Sequence, residues 1–298
     1  MAYYPNVGTE FGYSDATLLW DNEGVFWVDE RRDREGGVDK NYEQYLKPAQ
    51  EAAEQAAVAI LQHYRADGPV TMKGDGSPVT PADHAAHEAI MEVLGRATPK
   101  VPVASEEGDE ITGDRYWSVD PLDGTKEYVA RTDAFVVNIA LVEGGRPVVG
   151  VIHVPVTGES YFAVKGIGAF KKEGERVERL RGRAFLGGAV HIVGSARHGT
   201  GALANLCAAL ACDEREIKRS ALGSAWKFGW LAEGRADLYP RLGPTHTWDT
   251  AAGQCVVEES GGAVWTRGRQ SLVYDHPRQL NPSFVAVADC RYPWPDLL

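Results

Sequence analysis

Two carboxylates three residues apart, Asp120 and Asp123, stand in the run Tyr116-Trp-Ser-Val-Asp-Pro-Leu-Asp-Gly-Thr125. Pro121 stiffens the turn between them, and the apolar residues before it predict an extended lead-in. Gly124 permits close backbone approach, and Thr125 places a hydroxyl at the start of Lys-Glu-Tyr-Val. Carboxylate clusters hold hard cations such as Mg²⁺, whereas free amides at a helix start hold phosphate oxygens. Both features in one short loop point to metal-assisted phosphate chemistry, for which the rest of the chain must supply further ligands.

Other acids are spaced so that they could join this pair. Glu106 and Glu107 follow the short apolar run Val101–Ala104 and so fall at a strand end. Paired acids are ordinarily solvated surface, and only their company with Asp120 and Asp123 makes them ligands. Asp249, in Thr245-His-Thr-Trp-Asp-Thr-Ala-Ala-Gly-Gln254, reads first as a helix N-cap. The small residues after it also predict close packing beneath a site. Asp83 ends Thr80-Pro-Ala-Asp, with an N-cap hydroxyl, proline at the first helical position and an acid at the third. Such a capping carboxylate can still face a site and accept a proton. Lys73 and Asp75, in a glycine-rich loop, carry no message individually. Lys227, in Ser224-Ala-Trp-Lys, and Arg241, in Tyr239-Pro-Arg, are cations flanking a predicted strand. Their usual fate is a solvated surface. Beside a phosphate site they become candidates for a second anionic group, Arg241 by a bidentate contact. The histidines lack metal-ligand spacing, and no nucleophile elbow or Walker-type loop is present.

The elements that must position these residues divide the chain near Gly182–Gly188. Residues 1–40 form an extension, aromatic and acidic, whose stretch Val25–Val28 could add a strand. Residues 41–185 form an α+β subdomain with the acids. It has a helix over Asn41–Tyr64, broken or restarted at Pro48, and a second helix from Thr80. Strands follow at Val101–Ala104, Tyr116–Val119, Ala134–Val142 and Val148–Val154, mostly antiparallel. Residues 186–298 form an α/β subdomain for substrate. Its strands are Val190–Val193, Ala236–Tyr239, Val264–Trp265 and Phe284–Val287, and its helices Thr200–Cys212, Ser224–Ala232 and Thr250–Ser260.

With 298 residues, 44% of them hydrophobic and 24% charged, the chain has the composition of a globular protein with a sizeable core. A net charge of -11 argues against nucleic acid as a partner, though bound cations can invert the local field for a small anion. Cys207, Cys212, Cys255 and Cys290 form no C-x-x-C pair and read as small buried thiols in a reducing compartment. No run approaches membrane-spanning length and the N-terminus lacks a secretory pattern, so a cytoplasmic protein without a membrane partner is expected.

Four separated motifs, Ser77-Pro-Val-Thr-Pro-Ala-Asp83, Ser105-Glu-Glu107, Asp120-Pro-Leu-Asp-Gly-Thr125 and Trp248-Asp-Thr-Ala-Ala-Gly253, occur in order. Over about residues 41 to 290 the chain thereby resembles the lithium-sensitive, magnesium-dependent phosphatases related to inositol monophosphatase. Asp120–Glu127, Leu238-Tyr-Pro-Arg-Leu-Gly-Pro244 and Leu280-Asn-Pro282 resemble the bacterial 3'(2'),5'-bisphosphate nucleotidases of the CysQ type. The resemblance implies an αβαβα layered sandwich and removal of the 3'-phosphate from 3'-phosphoadenosine 5'-phosphate. Inositol, sugar or specialised nucleoside phosphates are the alternative substrates, and a non-catalytic nucleotide- or metal-binding regulator the remote one. It further implies that Glu106, Asp120, Asp123, Asp249 and the Leu122 carbonyl hold two or three Mg²⁺. Gly124 and Thr125 would hold the scissile phosphate, Thr125 and Asp83 would orient the attacking water, and Glu107 would support them. Ser224, Lys227, Arg241 and His198 would meet the nucleotide. Homodimerisation is open. The chain departs from this pattern in residues 1–40, in Tyr128 where relatives carry phenylalanine, and in Trp226, bulkier than the usual aliphatic residue and expected to reshape the pocket.

Overall fold

Alanines spaced three and four apart let the first two helices approach closely. In the computed structural model, which describes residues 17–21, 24–28, 41–64, 69–74, 76–195, 210, 216–295 and 297–298, α1 spans Leu46–Tyr64 and α2 Pro81–Ala97. Helix α1 buries Ala49, Ala52, Ala53, Ala56, Ala57 and Ile60, and α2 buries Ala82, Ala86, Ile90, Val93 and Leu94. A 3₁₀ turn, Glu43–Tyr45, precedes α1. Pro48 falls in the first turn, where its missing N–H has no intrahelical partner to lose.

Both helices lie against a seven-stranded sheet. In chain order its strands are β5 (Val103–Ser105), β6 (Arg115–Asp123), β7 (Val136–Glu143), β8 (Arg146–His153), β9 (Ser160–Val164), β10 (Gly168–Glu173) and β11 (Arg176–Leu180). Neighbours in sequence are neighbours in the sheet, antiparallel except for the parallel pair β5–β6. The strands β9 to β11 fill a region where the sequence predicts no element. A two-stranded hairpin, β3 (Thr71–Met72) with β4 (Pro78–Val79), carries the Lys73 loop.

The opposite face of this sheet meets α5 (Thr247–Glu259), beside α4 (Trp226–Ala232). These helices in turn pack on a six-stranded sheet ordered β13 (Ile217–Ala221), β12 (Val190–Gly194), β14 (Leu238–Arg241), β17 (Phe284–Val287), β15 (Ala263–Thr266) and β16 (Gln270–Ser271). Beyond it, helical Leu210 is buried with Val190, Ile192, Val285 and Val287. The predicted helix Thr200–Cys212 otherwise lies outside the described residues. Sheets and helices alternate in the expected α+β layering.

Met1–Asn41 and Tyr42–Leu298 are separate compact units. In the first, β1 (Thr17–Asp21) and β2 (Gly24–Val28) pair antiparallel, with the predicted Val25–Val28 in the second strand. Cys255 is buried as expected, but Cys290 is exposed, because it follows the last strand in a surface turn. Among the described residues no helix is long and apolar enough to cross a membrane.

Candidate active site

Strand β6 ends in a bulge between Asp120, paired with Asn138, and Asp123, paired with Val136. Pro121 has no N–H to give the ladder, so the regular pairing breaks there. The Leu122 amide donates to Asp120 Oδ1 (3.1 Å), closing a local turn. Asp123 Oδ2 accepts from Asn138 Nδ2 (3.1 Å) and from the Ala225 amide (2.5 Å). Gly124 then takes φ +99°, and a Cβ there would press on the Ala134 carbonyl at 3.2 Å. The predicted hydroxyl at a helix start is found, because Gly124 caps the short helix α3 (Thr125–Val129).

Asp249 comes to the same place from the other half of the molecule. Helix α5 starts at Thr247, three residues before the predicted Thr250, so His246 is the N-cap and Asp249 the third helical residue. Its Oδ2 accepts from the His246 amide (2.6 Å). The predicted close packing behind it is real: a Cβ on Gly253 would sit 2.1 Å from the Phe228 ring. Asp120, Asp123 and Asp249 each offer an oxygen within 4.8 Å of the others. Burial, then the charges of Glu106, Asp123 and Asp249, drive the Asp120 pKa well up. Burial and Asp123 push Asp249 up to about 7.

Asp83 caps its helix as expected and also reaches Thr125. Its Oδ2 accepts from the Thr80 amide and hydroxyl, both at 2.7 Å, completing the capping box. Its Oδ1 accepts from Thr125 Oγ1 (3.2 Å), which also lies 3.3 Å from the Leu122 carbonyl. Burial above all raises the Asp83 pKa.

Glu106 stands next to the three aspartates, near enough to lift their pKa values, but its Oε1 is engaged by Lys73 Nζ at 2.7 Å. The same ammonium holds Glu107 at 2.5 Å. Lys73, without message in the sequence, thus neutralises the acid pair. Its pairing is nonlocal and no spacing foretells it. Asn138 did leave a signal, as the single amide in the apolar run Val136–Val142. Arg278, which binds the backbone of the Glu106 turn, had none.

A cleft of about 140 Å³ opens beside these acids, lined among others by Asp123, Gly124, Glu127, Ser224, Lys227, Arg241 and Asp249. Lys227 is 3% exposed, not the surface cation of the usual case. Its Nζ donates to the carbonyls of Leu222 (3.3 Å) and Ser224, whose φ of +51° turns the loop back on itself. Burial lowers the Lys227 pKa to about 8. Arg241 donates through Nη2 to the Pro244 carbonyl (3.0 Å), while its buried Nε has no protein partner. Trp226 is not part of the cleft wall. Its indole N–H donates to Tyr161 Oη (3.4 Å) and its ring packs on the core. Tyr128 packs between Tyr64 and Phe135, at 4.9 and 5.4 Å. His198 and Asp75 lie outside the described residues.

The donor set suits a hard divalent cation. It is all oxygen and largely anionic, and the described hydrogen bonds of each aspartate engage one oxygen only.

The family model "Inositol monophosphatase family" matches residues 41–290. The 3'(2'),5'-bisphosphate nucleotidase CysQ of Escherichia coli K12 is 43% identical over 241 residues, 78% of this chain and 95% of the relative. CysQ from Bacteroides thetaiotaomicron superposes with TM-score 0.73 at 38% identity, covering 83% of this chain and 98% of that one. An inositol monophosphatase from Anabaena superposes with TM-score 0.67 at 26% identity, covering 84% and 92%. The chain belongs to the inositol monophosphatase family.

Proposed function

We propose that the chain is a metal-dependent phosphomonoesterase that removes the 3'-phosphate of 3'-phosphoadenosine 5'-phosphate, in the cytoplasm. The observation that carries this is the trio of buried Asp120 with half-buried Asp123 and Asp249, beside the hydroxyl–carboxylate pair Thr125–Asp83, in a chain 43% identical to a bisphosphate nucleotidase. Two or three Mg²⁺ fit the oxygen donors. Asp120, Asp123, Asp249, the Leu122 carbonyl and Glu106, once released by Lys73, would hold them, with Glu107 in support. When bound, such cations polarise a phosphoryl oxygen and acidify water at the site.

The chain's own groups do the rest. Asp83 Oδ2 is saturated by Thr80, so only Oδ1 can take up a proton. The Thr125 hydroxyl, donating to that oxygen, keeps a lone pair to accept from the attacking water. The start of α3 leaves the amides of Thr125, Lys126 and Glu127 without intrahelical partners, and they are free for phosphate oxygens. In the same cleft, Ser224, Lys227 and the Nε of Arg241, which has no protein partner, receive the second phosphate of a bisphosphate.

Phosphate release from 3'-phosphoadenosine 5'-phosphate, inositol 1-phosphate and fructose 1,6-bisphosphate, with Mg²⁺, with chelator and with Li⁺, tests the assignment. The bisphosphate nucleotide is expected to be the best substrate, and chelator to abolish turnover. Asp120→Asn should lose at least about 100-fold, since even ligand-supporting groups cost 10- to 100-fold. Near-normal turnover of that variant at saturating Mg²⁺ refutes the mechanism. A preference for inositol 1-phosphate refutes the substrate.

A further inference from the structure

Arg278 lies outside the cleft lining, yet it touches both arms that deliver the acids. The segment Asp275–Asn281 is laced along the start of α5. The Thr247 amide donates to the Gln279 carbonyl (3.2 Å), and Thr247 Oγ1 to the His276 carbonyl (3.2 Å). The Asn281 amide and Nδ2 donate to the carbonyls of Thr245 and His246, both at 2.7 Å. From this strap the Arg278 side chain crosses to the other half of the molecule. Nη1 donates to the carbonyls of Ser105 (3.1 Å) and Gly108 (3.0 Å), and Nη2 to that of Glu106 (3.4 Å). The guanidinium also lies over the indole of Trp248, 4.9 Å from its centroid, and Trp248 is the residue before Asp249.

The residue type fits this task. A guanidinium presents its N–H groups in a fixed planar fork and stacks by its face, which an ammonium does not do. One side chain can therefore grip three carbonyls of a tight turn and rest on an aromatic ring at once. The task itself follows from charge. Glu106 arrives on the end of β5, whereas Asp249 arrives on α5, and like charges brought together repel. An arm held loosely would swing away, and a cation would then have to draw it back at the expense of affinity.

We propose that Arg278 is a positioning residue that fixes the Glu106 turn against the helix bearing Asp249. It thereby sets cation affinity without touching substrate. This rests on the reading of Glu106 and Asp249 as cation ligands. Calorimetric titration of the cation-free full chain with Mn²⁺ tests it, alongside melting curves and KM and kcat at saturating Mg²⁺. Arg278→Met should weaken Mn²⁺ binding on the order of 10-fold, and Arg278→Lys by less, with KM at saturating cation within about twofold of wild type. Leu180→Ala, at the far edge of the same sheet, should lower the melting temperature but leave Mn²⁺ affinity unchanged. Wild-type affinity in Arg278→Met, or an equal loss in Leu180→Ala, overturns the proposal. Should Arg278→Met fail to fold, wild-type affinity in Arg278→Lys overturns it in the same way. Mn²⁺ binding that survives Asp120→Asn in the otherwise wild-type chain overturns instead the cation reading on which it rests.

Discussion

Asp249 shows what it costs to assemble acids before a cation arrives. Burial first, then Asp123, lift its pKa from 3.8 to about 7. The native state therefore keeps a proton that the unfolded chain releases. The associated stability is fully present below the ordinary carboxylate value and is lost as pH rises through about 7. Asp120 and Asp123 are raised in the same direction by burial. A cation that binds only the folded chain reverses the loss by mass action. We expect the melting temperature of the cation-free protein to fall as pH rises from the ordinary carboxylate value of 3.8 to about 7, and saturating Mg²⁺ to restore it. Asp249→Asn should flatten the slope in the cation-free protein. Parallel pH profiles for wild type and Asp249→Asn, measured by calorimetry, would count against a protonated acid cluster.

Helix α5 and the bulge of β6 are the elements that bring the acids together. The break at Pro121 was legible only as a turn after a strand Tyr116–Val119, whereas the strand runs on through a bulge to Asp123. Thr80-Pro-Ala-Asp83 was legible as a helix start, its signals being local. The start of α5 was not. Thr247 and Trp248 are weaker helix formers than the alanines that follow, and packing carries them into the helix nonetheless. The burial of Lys227 and the reach of Arg278 to a carbonyl 173 residues away depend on tertiary contacts with no periodic trace. Packing also makes α5 sensitive. At Gly253 an added methyl meets the Phe228 ring at 2.1 Å, so α4 and α5 would have to separate. Gly253→Ala is expected to destabilise by about 1–3 kcal/mol and to shift Asp249 enough to lower turnover. Thermal melts and phosphate release check both, and a variant unchanged in either property would mean that the helices accommodate the methyl without moving the site.

At the scale of the whole molecule, every acid and cation argued to act belongs to Tyr42–Leu298, one of the two compact units. The family model likewise begins at residue 41. Within that unit the site joins both sheets, since Asp120 and Asp123 end a strand of the first and Asp249 starts a helix packed between the two. The chemistry thus requires the two sheets to be built together, and none of the groups assigned to it comes from Met1–Asn41. Its only described element, the hairpin β1–β2, hydrogen-bonds within itself. A chain lacking residues 1–40 is therefore expected to fold and to keep its cation dependence. Its kcat should stay within about twofold and its melting temperature within a few degrees of the full chain, as for an independent unit. Steady-state phosphate release and calorimetry on the two chains decide the matter. A truncated chain with intact melting but a raised KM would assign the extension a part in substrate binding, and loss of folding would make it part of the core.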